Sequence, residues 1–189
     1  MLFIDASNIY YSQRTLGWQI DYQKVINFFS TKANLKAAHF YSGTVTHLAP
    51  QQKFLQKMRQ FGYIVKTKEV KWIKTNQKKI IGKGSLDIEL ALDLTHKTRQ
   101  YDTALLFSGD SDFAPAVAFI QSKQKQVIAF SSRGHISREL ARQANRYIPF
   151  ESLKQFIQRK NHPALKRGKY SKPILLPARK GVKPKKSHV

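Results

Sequence analysis

Residues 103–117 read TALLFSGDSDFAPAV. TALLFS (103–108) is a short apolar run of buried-strand type. SDFAPAVAFIQSK (111–123) reads as a helix, with Pro115 tolerated only in its first turn. QVIAFS (126–131) is then another buried strand. Strand, acidic turn, helix, strand is the repeating unit of an α/β fold with a parallel sheet.

The unit extends both ways. Upstream, MLFID (1–5), AAHFYS (37–42) and YIVKT (63–67) have strand character. Residues 21–33 and 50–61 have helical spacing, with Asp21 as cap and Pro50 at a helix start. Gly43 and Gly62 mark ends. Residues 69–82 read as a hairpin around Thr75–Gln77, and 85–99 as a helix opened by Ser85. Downstream, 136–145 is helical and YIPF (147–150) is a last short strand, followed by SLKQFIQR. The expectation is an α/β fold with a mainly parallel sheet over residues 1–158.

In open α/β sheets, sites form outside the carboxyl ends of the strands. Asp5 ends the first strand, Asp110 and Asp112 follow TALLFS, and Asp87 lies in the first turn of a helix. These four can converge on one sheet edge. Each has a structural alternative: Asp5 can close a turn with Asn8, Asp87 can complement a helix dipole, and Asp110 or Asp112 can cap the next helix. Clustered acids repel and call for a cation, and an oxygen-only set points to Mg2+ or Mn2+. Such an ion activates water and stabilises the departing oxygen of a phosphodiester. Glu89 and Asp93 read as a salt-bridge face, with Lys97 four residues on as a partner for Asp93. Asp102 reads as a turn residue.

Charge supplies the partner. The 189 residues hold 34 Lys and Arg against 11 Asp and Glu, a net +23. That balance favours a polyanion, nucleic acid first. Residues 159–189 carry 11 basic residues, no acid and four of the seven prolines, and read as a basic tail. The remainder still carries +12. A second basic stretch, 53–83, interleaves Phe54, Phe61, Tyr63 and Trp72 with Lys71, Lys74 and Lys83, as suits single-stranded nucleic acid. Arg133 and Arg138 are further candidates for substrate phosphates.

Other classes fit poorly. Cysteine is absent, which removes disulfide scaffolds, thiolate zinc sites and cysteine nucleophiles. The six histidines lack metal-ligand spacing, and no Walker A, G-x-S-x-G or G-x-G-x-x-G pattern occurs. Gly82-Lys83-Gly84-Ser85 lacks the upstream glycine of a phosphate loop, although a helix N-terminus there could receive a phosphate. The start MLFIDASN has no basic n-region and no run is long enough for a membrane span, so the expectation is a soluble, cytoplasmic protein.

FIDASNIYYS (3–12), KGSLDIELALDL (83–94), YDTALLFSGDSDFAPAV (101–117) and ISRELARQANRYI (136–148) together resemble the NYN-domain family of PIN-like ribonucleases. The resemblance implies a PIN-like three-layer α/β/α sandwich, a Mg2+ or Mn2+ site and RNA as substrate. It maps the family's acids onto Asp5, Asp87, Asp110 and Asp112, and its asparagine onto Asn8 as site organiser. Ser108 is expected beside these groups, in contact with substrate or tuning the acids. The family's usual glycine is replaced by Ala6, and its later acid by Asn145. The expectation is therefore a metal-dependent endoribonuclease. Its rivals are a non-catalytic RNA-binding adaptor and a metal-dependent nucleotide phosphatase. A homodimer is compatible with the sequence.

Overall fold

The computed structural model describes residues 1–45, 48–74 and 80–160. Six strands form an all-parallel sheet: β1 (Leu2–Asp5), β2 (Ala38–Thr44), β3 (Tyr63–Glu69), β6 (Thr103–Phe107), β7 (Gln126–Ser131) and β8 (Arg146–Pro149). Their order is β3-β2-β1-β6-β7-β8, and β4 (Lys71–Lys74) with β5 (Ile80–Lys83) makes a separate antiparallel pair. The chain winds outward from β1 through β2 and β3, then returns to β1's other side with β6. The strand order therefore reverses between β1 and β6, where open α/β sheets form their clefts.

Alternation along β1 divides the core. Leu2 and Ile4 face one layer, with Ile9 of α1 (Ala6–Leu16), Val25 and Phe29 of α2 (Tyr22–Lys32), Leu55 and Met58 of α3 (Ala49–Gln60), and Phe150 and Ile157 of α7 (Phe150–Ile157). Phe3 faces the other, with Leu90 and Leu94 of α4 (Asp87–His96), Val117 and Ile120 of α5 (Ala114–Ser122), and Leu140 of α6 (Arg138–Gln143). The result is the expected three-layer α/β/α sandwich. Among the described residues no helix is long and apolar enough to cross a membrane.

Most elements fall where the periodicity puts them. Asp21 caps α2 by accepting from the Gln23 and Lys24 amides, and Pro115 sits in the first turn of α5. The antiparallel hairpin is present, and its turn, Thr75–Gln77, lies outside the described residues. Two helices are additions to the sequence reading. α1 carries few apolar residues, and only Ile9 and Ser12 are buried. Its ends are fixed instead by Asp5 at the start and Gly17, in the left-handed region at φ 69°, at the finish. α7 begins at Phe150, so that residue opens a helix rather than ending a strand. β2 runs through Gly43 to Thr44 instead of stopping there.

Candidate active site

The end of β1 and the turn after β6 are tied together by side chains. Asp5 is buried, with 5 % of its surface exposed. Its Oδ1 accepts from the Ser7 and Asn8 amides and from Ser7 Oγ, capping α1. Its Oδ2 accepts from Ser108 Oγ at 3.0 Å. Asn8 Oδ1 accepts from the Gly109 amide at 2.9 Å, across the β1–β6 junction. The turn is thus fastened to α1 by two side chains. Asp110 then caps a single 3-10 turn, Ser111–Phe113, its Oδ1 accepting from the Asp112 amide.

The opposite wall comes from α4. Asp87 is its first residue, and the Asp87 amide donates to Ser85 Oγ at 3.2 Å. Asp5, Ser7, Tyr41, Gly43 and Asp87 line one pocket at the carboxyl edge. Burial pushes the Asp5 carboxyl up to about 6; its hydrogen bonds from Ser7, Asn8 and Ser108 oppose the rise, and the Asp87 charge adds to it. Asp87 is raised too, by burial first, against the Ser85 bond, and then by the charges of Asp110, Asp112 and Glu89. The other three predicted acids therefore lie within electrostatic reach of Asp87.

The structural alternatives are also realised. Asp5 and Asp110 are both caps, so each carboxylate serves the backbone as well as the cluster. Ser108 is fully buried and acts as an internal strut, donating to Asp5 and accepting from the Asp110 amide. Direct contact with a substrate phosphate is closed to it. Arg133 and Arg138 are exposed on the 132–138 segment, which packs on this turn through the Ser137 amide and the Gly109 carbonyl. Lys83 ends β5, just before Gly84, which lines the acidic pocket. Lys71 and Lys74 lie at opposite ends of β4.

Asp93 differs from expectation. Its partners are Lys66 of β3 at 2.6 Å and the Tyr41 hydroxyl at 2.5 Å, not Lys97. Burial works against its ionisation, but Lys66 and Tyr41 outweigh that and hold the carboxyl low. Glu89 pairs with Lys68 at 2.7 Å. These pairs pin α4 to strands β2 and β3. Asn145 accepts from the Val127 amide at the amino end of β7, so it stands at the far edge of the sheet from the acids.

Sequence reasoning missed Ser7, whose hydroxyl is the shortest bond to Asp5 at 2.6 Å. It also missed Gly109 as a position that excludes any side chain: a Cβ there would lie 1.9 Å from the His135 carbonyl oxygen. The SGDSD pattern contained that signal, but only the packing of 132–137 gives it meaning.

Oxygen donors alone, clustered in a basic chain, match a hard divalent cation. Among the described residues no three His, Asp or Glu side chains close into a ready cage.

The buried Asp5 makes a stability prediction. A carboxyl raised from about 3.8 to about 6 by folding favours the native state fully below pH 4. That contribution is lost as pH rises through 6. Asp5→Asn keeps a capping oxygen and removes the buried charge. With chelator present, it should exceed the unmodified protein in stability at pH 7.5 by on the order of 2–3 kcal/mol. The gap should close towards pH 4. Urea unfolding across that range measures it, and a gap that is constant or reversed contradicts the assignment.

The comparisons agree with this architecture. Residues 1–153 match the NYN domain. The chain is 32 % identical over 181 residues to the low amplitude and bright protein LabA of Synechococcus elongatus (strain ATCC 33912 / PCC 7942 / FACHB-805), covering 94 % of this chain and 95 % of that one. A crystal structure of a protein of unknown function from Vibrio parahaemolyticus RIMD 2210633 superposes with a TM-score of 0.67 at 22 % identity, over 82 % of this chain and 93 % of that one. At that identity the likeness concerns the fold. The match across the sheet, both helical layers and the acidic turn places this chain in the NYN-domain family, whose members are generally nuclease-like.

Proposed function

We propose that this protein is a metal-dependent endoribonuclease of the cytoplasm. The observation that carries the reading is the gathering of Asp5, Asp87, Asp110 and Asp112 at the β1–β6 reversal, where burial first and then the charges of Asp110 and Asp112 raise the titration of Asp87. Asp5, Asp87, Asp110 and Asp112 would hold Mg2+ or Mn2+, and Asn8 and Ser108 keep the turn in place. When bound, the ion supplies an activated water and charge for the departing oxygen. The chain's own work is to hold the phosphodiester against repulsion from these acids. Arg133, Arg138, Lys83 and the basic stretch around Lys71 and Lys74 are the phosphate contacts in this reading.

Incubating RNA and DNA panels with and without manganese, beside an acid variant, tests it. Manganese-dependent shortening of RNA, lost in the variant, is the expected result. RNA retained without cleavage would leave the adaptor reading standing. Release of phosphate from mononucleotides alone would favour the phosphatase.

The basic tail should supply affinity and not chemistry. Deleting 159–189 removes 11 positive charges. RNA binding should weaken and its salt dependence flatten, because fewer counterions are released. Cleavage at saturating RNA should persist. Fluorescence anisotropy over a salt series measures both quantities, and an unchanged slope rejects the role.

A further inference from the structure

Across the same end of the sheet from the acidic pocket lies a groove of about 610 Å³, bounded by α1, the start of α2 and α3. The two open at the carboxyl ends of β1 and β2, on opposite faces of the sheet. Ala6 of the groove follows Asp5, and Ser42 of the groove stands between Tyr41 and Gly43 of the acidic pocket. The walls are aromatic: Tyr10, Tyr22, Phe40, Phe54 and Phe61. Tyr22 meets Phe40 and Phe54 edge-on at 5.3 and 5.9 Å, which fixes the inner rings. Phe54 is nevertheless 39 % exposed, on a chain whose mean hydropathy is −0.47. Lys57 and Arg159 bring positive charge to the lining, and Lys57 Nζ lies 5.5 Å from the Phe61 ring centroid. The carboxylate in the lining, Asp21, faces the amides of Gln23 and Lys24 as the cap of α2.

Flat rings flanked by cations are the chemistry of an unpaired base and its phosphate: rings stack on bases, and cations meet the backbone. The volume falls within the range of small-ligand sites and leaves room for a nucleoside. We propose that this groove receives an unpaired nucleobase of a single-stranded RNA whose neighbouring phosphodiester lies at the Asp5–Asp87 pocket. The inference rests on the ribonuclease reading for that second half. It makes the protein selective for unpaired RNA, because a base held in a duplex cannot enter the groove.

The test uses the full chain with chelator present, so that cleavage plays no part. Binding of three labelled probes is measured by anisotropy: a single-stranded RNA, the duplex of the same sequence, and the single strand with abasic riboses. Phe54→Ala should weaken the single strand roughly 5- to 100-fold and leave the duplex and abasic strand within about twofold. Phe54→Tyr should restore binding. Tyr10→Ala carries the same expectation and replaces Phe54→Ala if that variant loses its cooperative thermal transition. Single-strand affinity left unchanged by both alanine variants would overturn the inference, and a protein or chain segment would then be the better occupant. Equal loss on all three probes would overturn it as well. Manganese-dependent cleavage by the unmodified protein is scored separately, so the groove and the nuclease reading can fail independently.

Discussion

Asp112→Asn should keep the protein folded and bound to RNA while cleavage falls on the order of 100-fold or more, the scale at which loss of a metal-site group acts. Asp112 stands at the exposed side of the acidic turn, its amide held by Asp110 Oδ1, and its charge is one that raises Asp87. Asparagine preserves size and accepts hydrogen bonds but removes that charge. Metal affinity should fall with it. Repulsion inside the cluster also falls, so metal-free stability should hold or rise slightly, and RNA affinity without metal should do the same. Thermal unfolding, metal titration and single-turnover cleavage on one preparation separate these effects. Full cleavage with an unchanged metal response would sink the assignment of Asp112 and weaken the nuclease reading with it.

Gly109→Ala should do the reverse, damaging the scaffold before the chemistry. A methyl group at 109 would lie 1.9 Å from the His135 carbonyl oxygen and 2.7 Å from Ser131 Oγ. The first contact is backbone, so no rotamer change relieves it. Yielding would pull the 132–137 segment off the turn and strain two bonds of Gly109, its amide to Asn8 and its carbonyl to the Ser137 amide. Overpacking of this kind costs about 3 kcal/mol, at the upper end of the usual range. For a domain of this size that lowers the thermal midpoint by roughly 6–12 °C. Calorimetry decides it; a midpoint within about 2 °C of the unmodified protein would show that the segment moves freely.

The contrast between these variants mirrors what the sequence could convey. Strand runs such as TALLF and QVIAF are legible because burial on both faces leaves a continuous apolar signature. The acids were legible because carboxyl ends of parallel strands share an edge, so position in sequence implies position in space. α1 was illegible because capping by Asp5 and the left-handed Gly17 define it more than any apolar stripe. Local spacing offers Asp93 only Lys97, whereas Lys66 arrives from an adjacent strand through tertiary packing. The position of Ser108 at the end of TALLFS is legible, but its orientation between Asp5 and the Asp110 amide depends on how two chain segments 103 residues apart meet. The aromatic groove drew on α1, α2, α3 and β2, and no single window of sequence contains it.

Val70 sits between the end of β2 and the approach to α4. A Cβ at Gly84 would fall 2.8 Å from a Val70 methyl and 2.9 Å from its Cα, whereas one at Gly43 would meet the methyl at 3.2 Å and the Gly84 carbonyl oxygen at 3.0 Å. The two glycines therefore face unequal evolutionary futures. Shrinking residue 70 relieves the methyl contact at 43, and what remains there, the Gly84 carbonyl oxygen at 3.0 Å, needs a main-chain shift of only a few tenths of an ångström. Nothing at 70 relieves a collision with its own Cα, so position 84 can change only if the main chain moves, and in sequences that keep this hairpin it should stay frozen while 43 drifts.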